Sequence, residues 1–378
     1  MSKSFDYIII GGGLAGLQLA LKFGTDRFFE QKTFAIIDPS NKNSNDKTWC
    51  FWEKGVGQWD QIITKSWENG LFYSSEKKLE LDLSPYRYKM LRSLDFYNYA
   101  HTILKILPNF SFITDEVERT DAASCVVYGK EDSYSGIHIF DSRITSNFKK
   151  EKSSSTLFQH FKGWRIKTSE KVFDTETFTM MDFRLKYKDS TSFTYVLPFS
   201  ETEALIEFTL FTPYLTDDNV YDSNLKDYID NILKIKEYKI EESEKGIIPM
   251  TDFPFHKEST SRITKIGTGG SWVKGSTGYS FKHTEKKTEQ IITNIKKGVN
   301  PGRDLINNMK RRYDSIFINV LEQNNELGEQ IFFKLYKKNK IGDIFRFLDE
   351  ETGLKEDIKI MFSLYHKQFL VSFFRKIF

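Results

Sequence analysis

Three glycines and one carboxylate near the start of the chain have the types and spacing to hold a dinucleotide. Gly11, Gly13 and Gly16 form a G-x-G-x-x-G turn between an apolar run, Phe5 to Ile10, and an expected helix over Leu17 to Phe23. Asp38 follows the next apolar run, Thr33 to Ile37. In such a unit the first glycine permits the tight turn and the second lets the backbone approach a pyrophosphate. The third lets the helix pack on the strand. The helix N-terminus offers N–H groups to phosphate, and the acid accepts from ribose hydroxyls. An ordinary glycine-rich turn is the bland alternative, and the complete strand–turn–helix–strand–acid context counts against it. The fingerprint begins at residue 11, so the adenine half leads the chain, as is usual for FAD enzymes. No second G-x-G-x-x-G is present to hold a nicotinamide cofactor on its own fold.

A second glycine-rich stretch, from Ile266 to Tyr279, contains Gly267, Gly269 and Gly278. A strand is expected before it, at Ile263 to Ile266, and a helix after it, at Thr284 to Lys296. In two-part flavoproteins the chain returns to the nucleotide domain at such a point and offers backbone N–H groups to the flavin. Glycine allows the close approach that this requires. A long surface loop is the other reading.

These motifs need elements to carry them. Helical spacing recurs at 94–107 and strand-like runs at Phe110 to Ile113 and Ala122 to Tyr128. Between about 150 and 255, period-two segments at 164–167, 177–180, 191–197 and 204–211 predict an antiparallel sheet. A charged amphipathic helix is expected inside it at 222–238, and the chain after 280 reads as mostly helical. The 378 residues suggest two to three folding units at roughly 150 residues each. Apolar residues at 39% exclude general disorder, and 55 basic against 52 acidic residues, net +3, count against a dedicated nucleic-acid binder. Only Cys50 and Cys125 occur, too few for a disulfide framework or thiolate metal site, which fits a reducing cytosol. The six histidines show no metal-ligand spacing, and His160 reads as structural. Aromatic residues are abundant, 34 Phe, 18 Tyr and 6 Trp, and either fill a core or line a long apolar cavity.

Together the motifs resemble the FAD-dependent lycopene cyclases of bacterial carotenoid synthesis. The matching pieces run in family order over roughly residues 5–350. They are Gly11 to Leu17, Asp46 to Trp52, Phe140 to Arg143, Gln159 to Trp164, Met181 to Arg184, Tyr195 to Pro198, Leu205 to Thr209, Ile248 to Met250 and Ile266 to Phe281. Two positions depart from the pattern. Phe208 stands where a second acid often follows the glutamate, which counts against paired carboxylates at that spot. Gly275 stands where Pro or Ala is common. The resemblance implies an α/β fold: a Rossmann-type FAD-binding domain, an inserted antiparallel β-sheet substrate domain and a helical C-terminal region. The expected divisions are 1–55, 90–148 and 258–300 for the first, 56–89 and 149–257 for the second, and 301–378 for the third.

The implied reaction is acid-catalysed ring closure at the ends of lycopene or a related linear carotenoid, giving β-rings without net redox change. Reduced FAD would serve as an electrostatic partner for a carbocation, with NAD(P)H as reductant only when the flavin becomes oxidised. The expected site residues are Glu207 as general acid, with Asp182 and Arg184 as an ion pair beside it or as a structural salt bridge. Burial in the apolar run Ala204 to Phe211 would raise the Glu207 pKa and keep its proton available, but alternation alone leaves its direction open. Gly11, Gly13, Gly16, Asp38, Arg92, Asp141, Gly267, Gly269 and Gly278 are the expected cofactor residues, and no metal is expected. A redox flavoenzyme acting on an apolar substrate, a hydroxylase or an isoprenoid reductase, is the rival. Common flavin hydroxylases carry Gly-Asp and Asp-Gly pairs where this chain has Gly267-Thr268 and Asp141-Ser142.

Residues 359–378 are rich in apolar side chains and carry Lys359, Lys367, Arg375 and Lys376 but no acid. Such a stretch either lies in a membrane surface or packs as a final core helix. The expected location is cytoplasmic, peripheral on the inner face of the membrane.

Overall fold

The computed structural model describes residues 3–145, 148, 151 and 153–377; Phe378, the last residue of the basic C-terminal stretch, lies outside them. The N-terminal apolar runs form a parallel sheet. Its strand order is Ile263–Lys265, His138–Asp141, Tyr7–Ile10, Phe34–Asp38 and Phe110–Thr114. Ile8 and Ile9 are fully buried, as a central strand covered on both faces requires. The helix after the first turn spans Leu14–Thr25, longer than the expected 17–23, because its apolar residues stay on the sheet through Phe23. A four-stranded sheet (Lys3–Ser4, Ser133–Ser135, Val126–Gly129, Val117–Asp121) flanks this unit. The strand expected over 122–128 is broken there: Asp121 Oδ1 accepts from the Ala123 N–H and folds the chain into a turn, and Cys125 adopts a positive φ.

The second unit is a seven-stranded sheet. Its order is Tyr238–Thr251, Thr156–Thr168, Glu203–Thr212, Thr191–Ser200, Thr177–Asp182, Asn69–Tyr73 and Lys78–Asp82. It is antiparallel except where Thr177–Asp182 runs parallel to Asn69–Tyr73. A three-stranded sheet of Thr48–Lys54, Tyr86–Arg92 and Lys65–Trp67 straddles the expected divisions at 55/56 and 89/90.

Each face of the large sheet is covered by different helices. One face meets the C-terminal helices, where Phe72, Phe183, Phe193 and Phe211 pack with Phe317, Ile331 and Phe332. Burying each such side chain contributes about 1.5–3 kcal/mol. Opposite, Ile206, Phe208 and Leu210 meet Tyr221, Leu225, Tyr228 and Ile229. Those four belong to helix Asp218–Asp227 and the single wider turn Tyr228–Ile232 that continues it. This helix starts and ends before the expected 222–238, because Lys234 turns left-handed and breaks it before Ile235 returns to the same core. From Phe281 onward the helices are Phe281–Lys296, Asn308–Gln323, Gly328–Lys338, Ile341–Leu348, Leu354–Ser363 and Lys367–Ile377. Trp52 stacks on Phe345 with centroids 4.4 Å apart and donates to Asp349 Oδ2 at 2.7 Å, tying the small sheet to this region.

Candidate active site

The helix packed on Ile206 and Phe208 settles which way Glu207 points. With those neighbours committed to one face, Leu205, Glu207 and Thr209 face the other. There Glu207 opens into a chamber of about 670 Å³, within the range of small-molecule sites. The same chamber is lined by both glycine turns, so the expected nucleotide cradle and the carboxyl group share one space. A recess lined by Lys274, Lys287, Arg311, Asp314 and Glu350 holds only about 30 Å³, room for little more than a water molecule.

The cradle is built from the chain's first turn. Gly11 has φ +101°, and a Cβ there would meet Ser142 Oγ at 2.0 Å. A Cβ on Gly16 would meet Gly11 O at 2.0 Å, so the helix could not seat on its strand. Gly13 differs: a Cβ there meets nothing within 4 Å, and the residue borders the chamber. Helix Leu14–Thr25 begins without a side-chain cap, which leaves its first N–H groups for an anion. Asp38 lines the chamber and accepts from Gly12 N–H at 2.7 Å. Gly267 and Gly278 border the chamber with φ +59° and +77°. Around that second turn Gln159 Oε1, Thr277 Oγ1 and Trp272 Nε1 are buried without hydrogen-bond partners among the described residues. Open space at Gly13, an uncapped helix and three orphaned polar atoms fit a dinucleotide cofactor with a polar ring system.

Not every expected cofactor residue borders the chamber. Gly269 is closed off, since a Cβ there would sit 2.4 Å from Arg143 O, and its part is backbone packing. Asp141 faces a separate recess, where it is ion-paired with Arg143 at 2.9 Å and Lys265 at 3.3 Å; its neighbour Ser142 borders the chamber instead. Arg92 is held by both carboxylate oxygens of Glu242, at 2.8 and 2.7 Å. The expected pairing of Asp182 with Arg184 is formed, but away from Glu207. Asp182 is fully buried and accepts from Tyr228 OH at 2.7 Å, and the Arg184 guanidinium lies 3.9 Å over the Tyr73 ring. Neither borders the chamber, so of the two readings the geometry gives the salt bridge. His160 is buried, with Nε2 2.7 Å from Thr212 Oγ1, and its pKa is lowered to about 4 by burial.

Glu207 sits in an apolar, aromatic surround. Tyr195 is opposite it on one neighbouring strand and Gly163 on the other. Cys50, Tyr88, Tyr195 and Tyr279 line the same space, and Tyr88 OH lies 3.0 Å from Tyr279 OH. Burial pushes all four of these groups up and holds them neutral. Thr209 Oγ1 donates to Glu207 Oε1 at 2.7 Å. Burial first, and the charge of Glu244 second, push the Glu207 carboxyl up to about 8, so it carries a proton at neutral pH.

Glu244 is the residue that sequence reasoning missed. It lies on Tyr238–Thr251, borders the chamber, and accepts from Thr48 Oγ1 at 2.7 Å. Its segment, Glu241 to Lys245, is charged at every position but Ser243, which masks an inward-facing residue. The available signal was period two: Glu242, Glu244, Gly246 and Ile248 share one face. The acid end of the chamber therefore does bring two carboxyl groups together, Glu207 and Glu244, although Phe208 is no acid. Among the described residues no cluster of His, Cys, Asp and Glu is placed to hold a metal.

The sequence model described as lycopene cyclase protein matches residues 6–376, nearly the whole chain. No curated protein sequence matches the chain. Among solved structures, a geranylgeranyl bacteriochlorophyll reductase-like protein from Thermoplasma acidophilum superposes with TM-score 0.62 at 11% identity, each chain covered in full. The flavin-dependent brominase Bmp2 gives 0.60 at 12% identity, covering 92% of this chain and 94% of its own. A 2-methyl-3-hydroxypyridine-5-carboxylic acid oxygenase gives 0.60 at 10%, covering 93% and 98%. At these identities the likeness is one of fold.

Proposed function

The chain belongs to the lycopene cyclase protein family, and from that premise we propose that it closes β-rings at the ends of lycopene or a similar linear carotenoid by acid catalysis, without net redox change. The observation that carries the reading is the half-buried Glu207, its carboxyl pushed up by its surroundings, opening into a chamber shared with the glycine turns. A hydrocarbon offers no heteroatom to grip, so recognition rests on shape and on the Tyr88, Tyr195 and Tyr279 rings. Glu207 delivers its proton to the terminal double bond, the neighbouring alkene attacks the tertiary cation, and a ring proton leaves. The carbocation is costly in a dry space unless charge or π faces offset it. FAD held by Gly11, Gly13, Gly16, Asp38, Gly267 and Gly278 would, when reduced, supply negative charge to that end, with NAD(P)H as its reductant.

Delivery of such a substrate needs a route from the bilayer. No described helix is long and apolar enough to cross a membrane. The last two helices and the connection between them nevertheless expose Phe362, Tyr365, Leu370, Val371 and Phe374, along with Lys359, Lys367 and Arg375. We read this face as a peripheral contact with an anionic membrane surface.

The test is purified protein with lycopene, FAD and NADPH under argon, alongside Glu207→Gln. A ring-bearing product of unchanged mass, absent from a Glu207→Gln variant that keeps its yellow flavin, supports the reading. A product that has gained oxygen or hydrogen would establish the redox alternative. Turnover by the Gln variant would move the acid elsewhere.

A further inference from the structure

Two carboxyl groups in one desolvated chamber cannot both ionise without large cost. Glu207 and Glu244 come from different strands, yet both are paired with Gly163 of the strand between them. A Cβ on Gly163 would lie 3.2 Å from Glu244 Cγ and 3.5 Å from Glu207 Cβ. The missing side chain therefore lets the two acids meet across the middle strand. One oxygen of each has a donor: Thr209 Oγ1 for Glu207 and Thr48 Oγ1 for Glu244, both at 2.7 Å. Glu244 Oε1 is buried without a hydrogen-bond partner among the described residues.

Among the described residues no cation forms an ion pair with either acid. The ionisable groups facing Glu207, namely Cys50, Tyr88, Tyr195 and Tyr279, are neutral. Arg92 reaches Glu244 only electrostatically, and its guanidinium is bound to Glu242. Lys245, next in the chain, turns away to Asp218.

We propose that Glu244 is a positioning residue for the acid: the two carboxyl groups share one proton across Gly163, with Glu244 ionised against Thr48 and Glu207 protonated. The inference rests on the cyclase reading of Glu207 and adds the residue that sets its proton. Burial raises both acids, and Glu244's charge raises Glu207 further. On Glu244 the Thr48 hydrogen bond lowers, the Glu242 charge raises, and Arg92 and the contact with Glu207 lower again. The donated Thr48 hydrogen bond assigns the charge to Glu244 and the proton to Glu207. In the chemical step the Glu207 O–H bond breaks as a C–H bond forms at the alkene carbon. Two carboxylates and a carbocation result, and the proton released on ring closure restores the pair to one.

The test is an infrared pH titration of the flavin-loaded protein, taken as wild type minus Glu207→Gln. It should show a protonated carboxyl at pH 7 that titrates near pH 8. In Glu244→Gln, which keeps shape but removes the charge, that titration should move down by about one pH unit or more. The alkaline limb of ring formation should move with it, while turnover at pH 6 is retained. An unmoved titration in a folded, yellow Glu244→Gln, or loss of its turnover at every pH, would overturn the proposal. If that variant fails to fold, the wild-type spectrum decides, because absence of a protonated Glu207 at pH 7 contradicts a shared proton. A wild type with the infrared band but no ring product contradicts the cyclase reading alone. Ring product without the band contradicts the pair alone.

Discussion

Burial turns an ordinary glutamate into an acid that still holds its proton at neutral pH, and this has a consequence for stability. The Glu207 carboxyl ionises near 4.5 when solvated but only near 8 in the folded chain. Between those values the folded state binds a proton that the unfolded state has lost, so stability falls as pH rises through the window. Glu207→Gln should flatten part of that fall, read as a smaller drop in urea midpoint between pH 5 and pH 8. Equal drops in both proteins would mean that Glu207 ionises normally. The residue's candidacy was legible in its apolar segment and in the resemblance. Its direction was not, because Leu205 and Ile206 are equally apolar and only the helix over Ile206 and Phe208 distinguishes the faces. Glu244 was hidden more deeply, since its neighbours in sequence are charged and its partner Gly163 is 81 residues away in the chain. Asp182, Arg184, Arg92 and Asp141 show the converse: charged residues in motif positions whose charges are satisfied by each other or by neighbours.

At the scale of elements, local signals worked where the chain makes its own context. The first strand, turn and helix were legible because glycine spacing and burial are contiguous in sequence. Gly13→Val tests that unit: with open space around it the variant should fold, yet purify colourless because the side chain occupies the phosphate approach. Stoichiometric flavin in that variant would contradict the cradle. The long strand Tyr238–Thr251 was illegible for the opposite reason, since it is a sheet edge with an exposed charged face. The C-terminal helices are joined by a pair that sequence could not show. Lys310 Nζ lies 2.7 Å from both oxygens of Asp357, linking Asn308–Gln323 to Leu354–Ser363, and both residues are nearly fully buried. Lys310→Met should cost about 3–5 kcal/mol by leaving Asp357 buried and unpaired. A loss in denaturation experiments below about 1 kcal/mol, the level of an exposed pair, would show that Asp357 finds another partner.

The whole molecule joins a nucleotide cradle, an acid and an apolar face in one chain. The C-terminal segment is part core and part exposed surface. Leu364 and Ser372 are buried and Lys376 pairs with Asp252 at 2.8 Å, while Phe362, Leu370, Val371 and Phe374 are exposed. Deleting residues 360–378 should therefore destabilise the fold, whereas Leu370→Ser with Val371→Ser should leave it intact. That double variant should bind anionic vesicles less than wild type in co-sedimentation, and wild-type binding should weaken in high salt. Undetectable wild-type binding would remove the membrane role from this face. The central claim is proton addition to a hydrocarbon followed by proton loss, and mass spectrometry of the product made in D2O tests it most directly. Because the Glu207 proton exchanges with solvent, each ring formed with reduced flavin under argon should carry one non-exchangeable deuterium, and product made in H2O should keep the mass of lycopene. A ring-bearing product with no solvent deuterium, or any product that has gained oxygen or two hydrogens, would contradict the account.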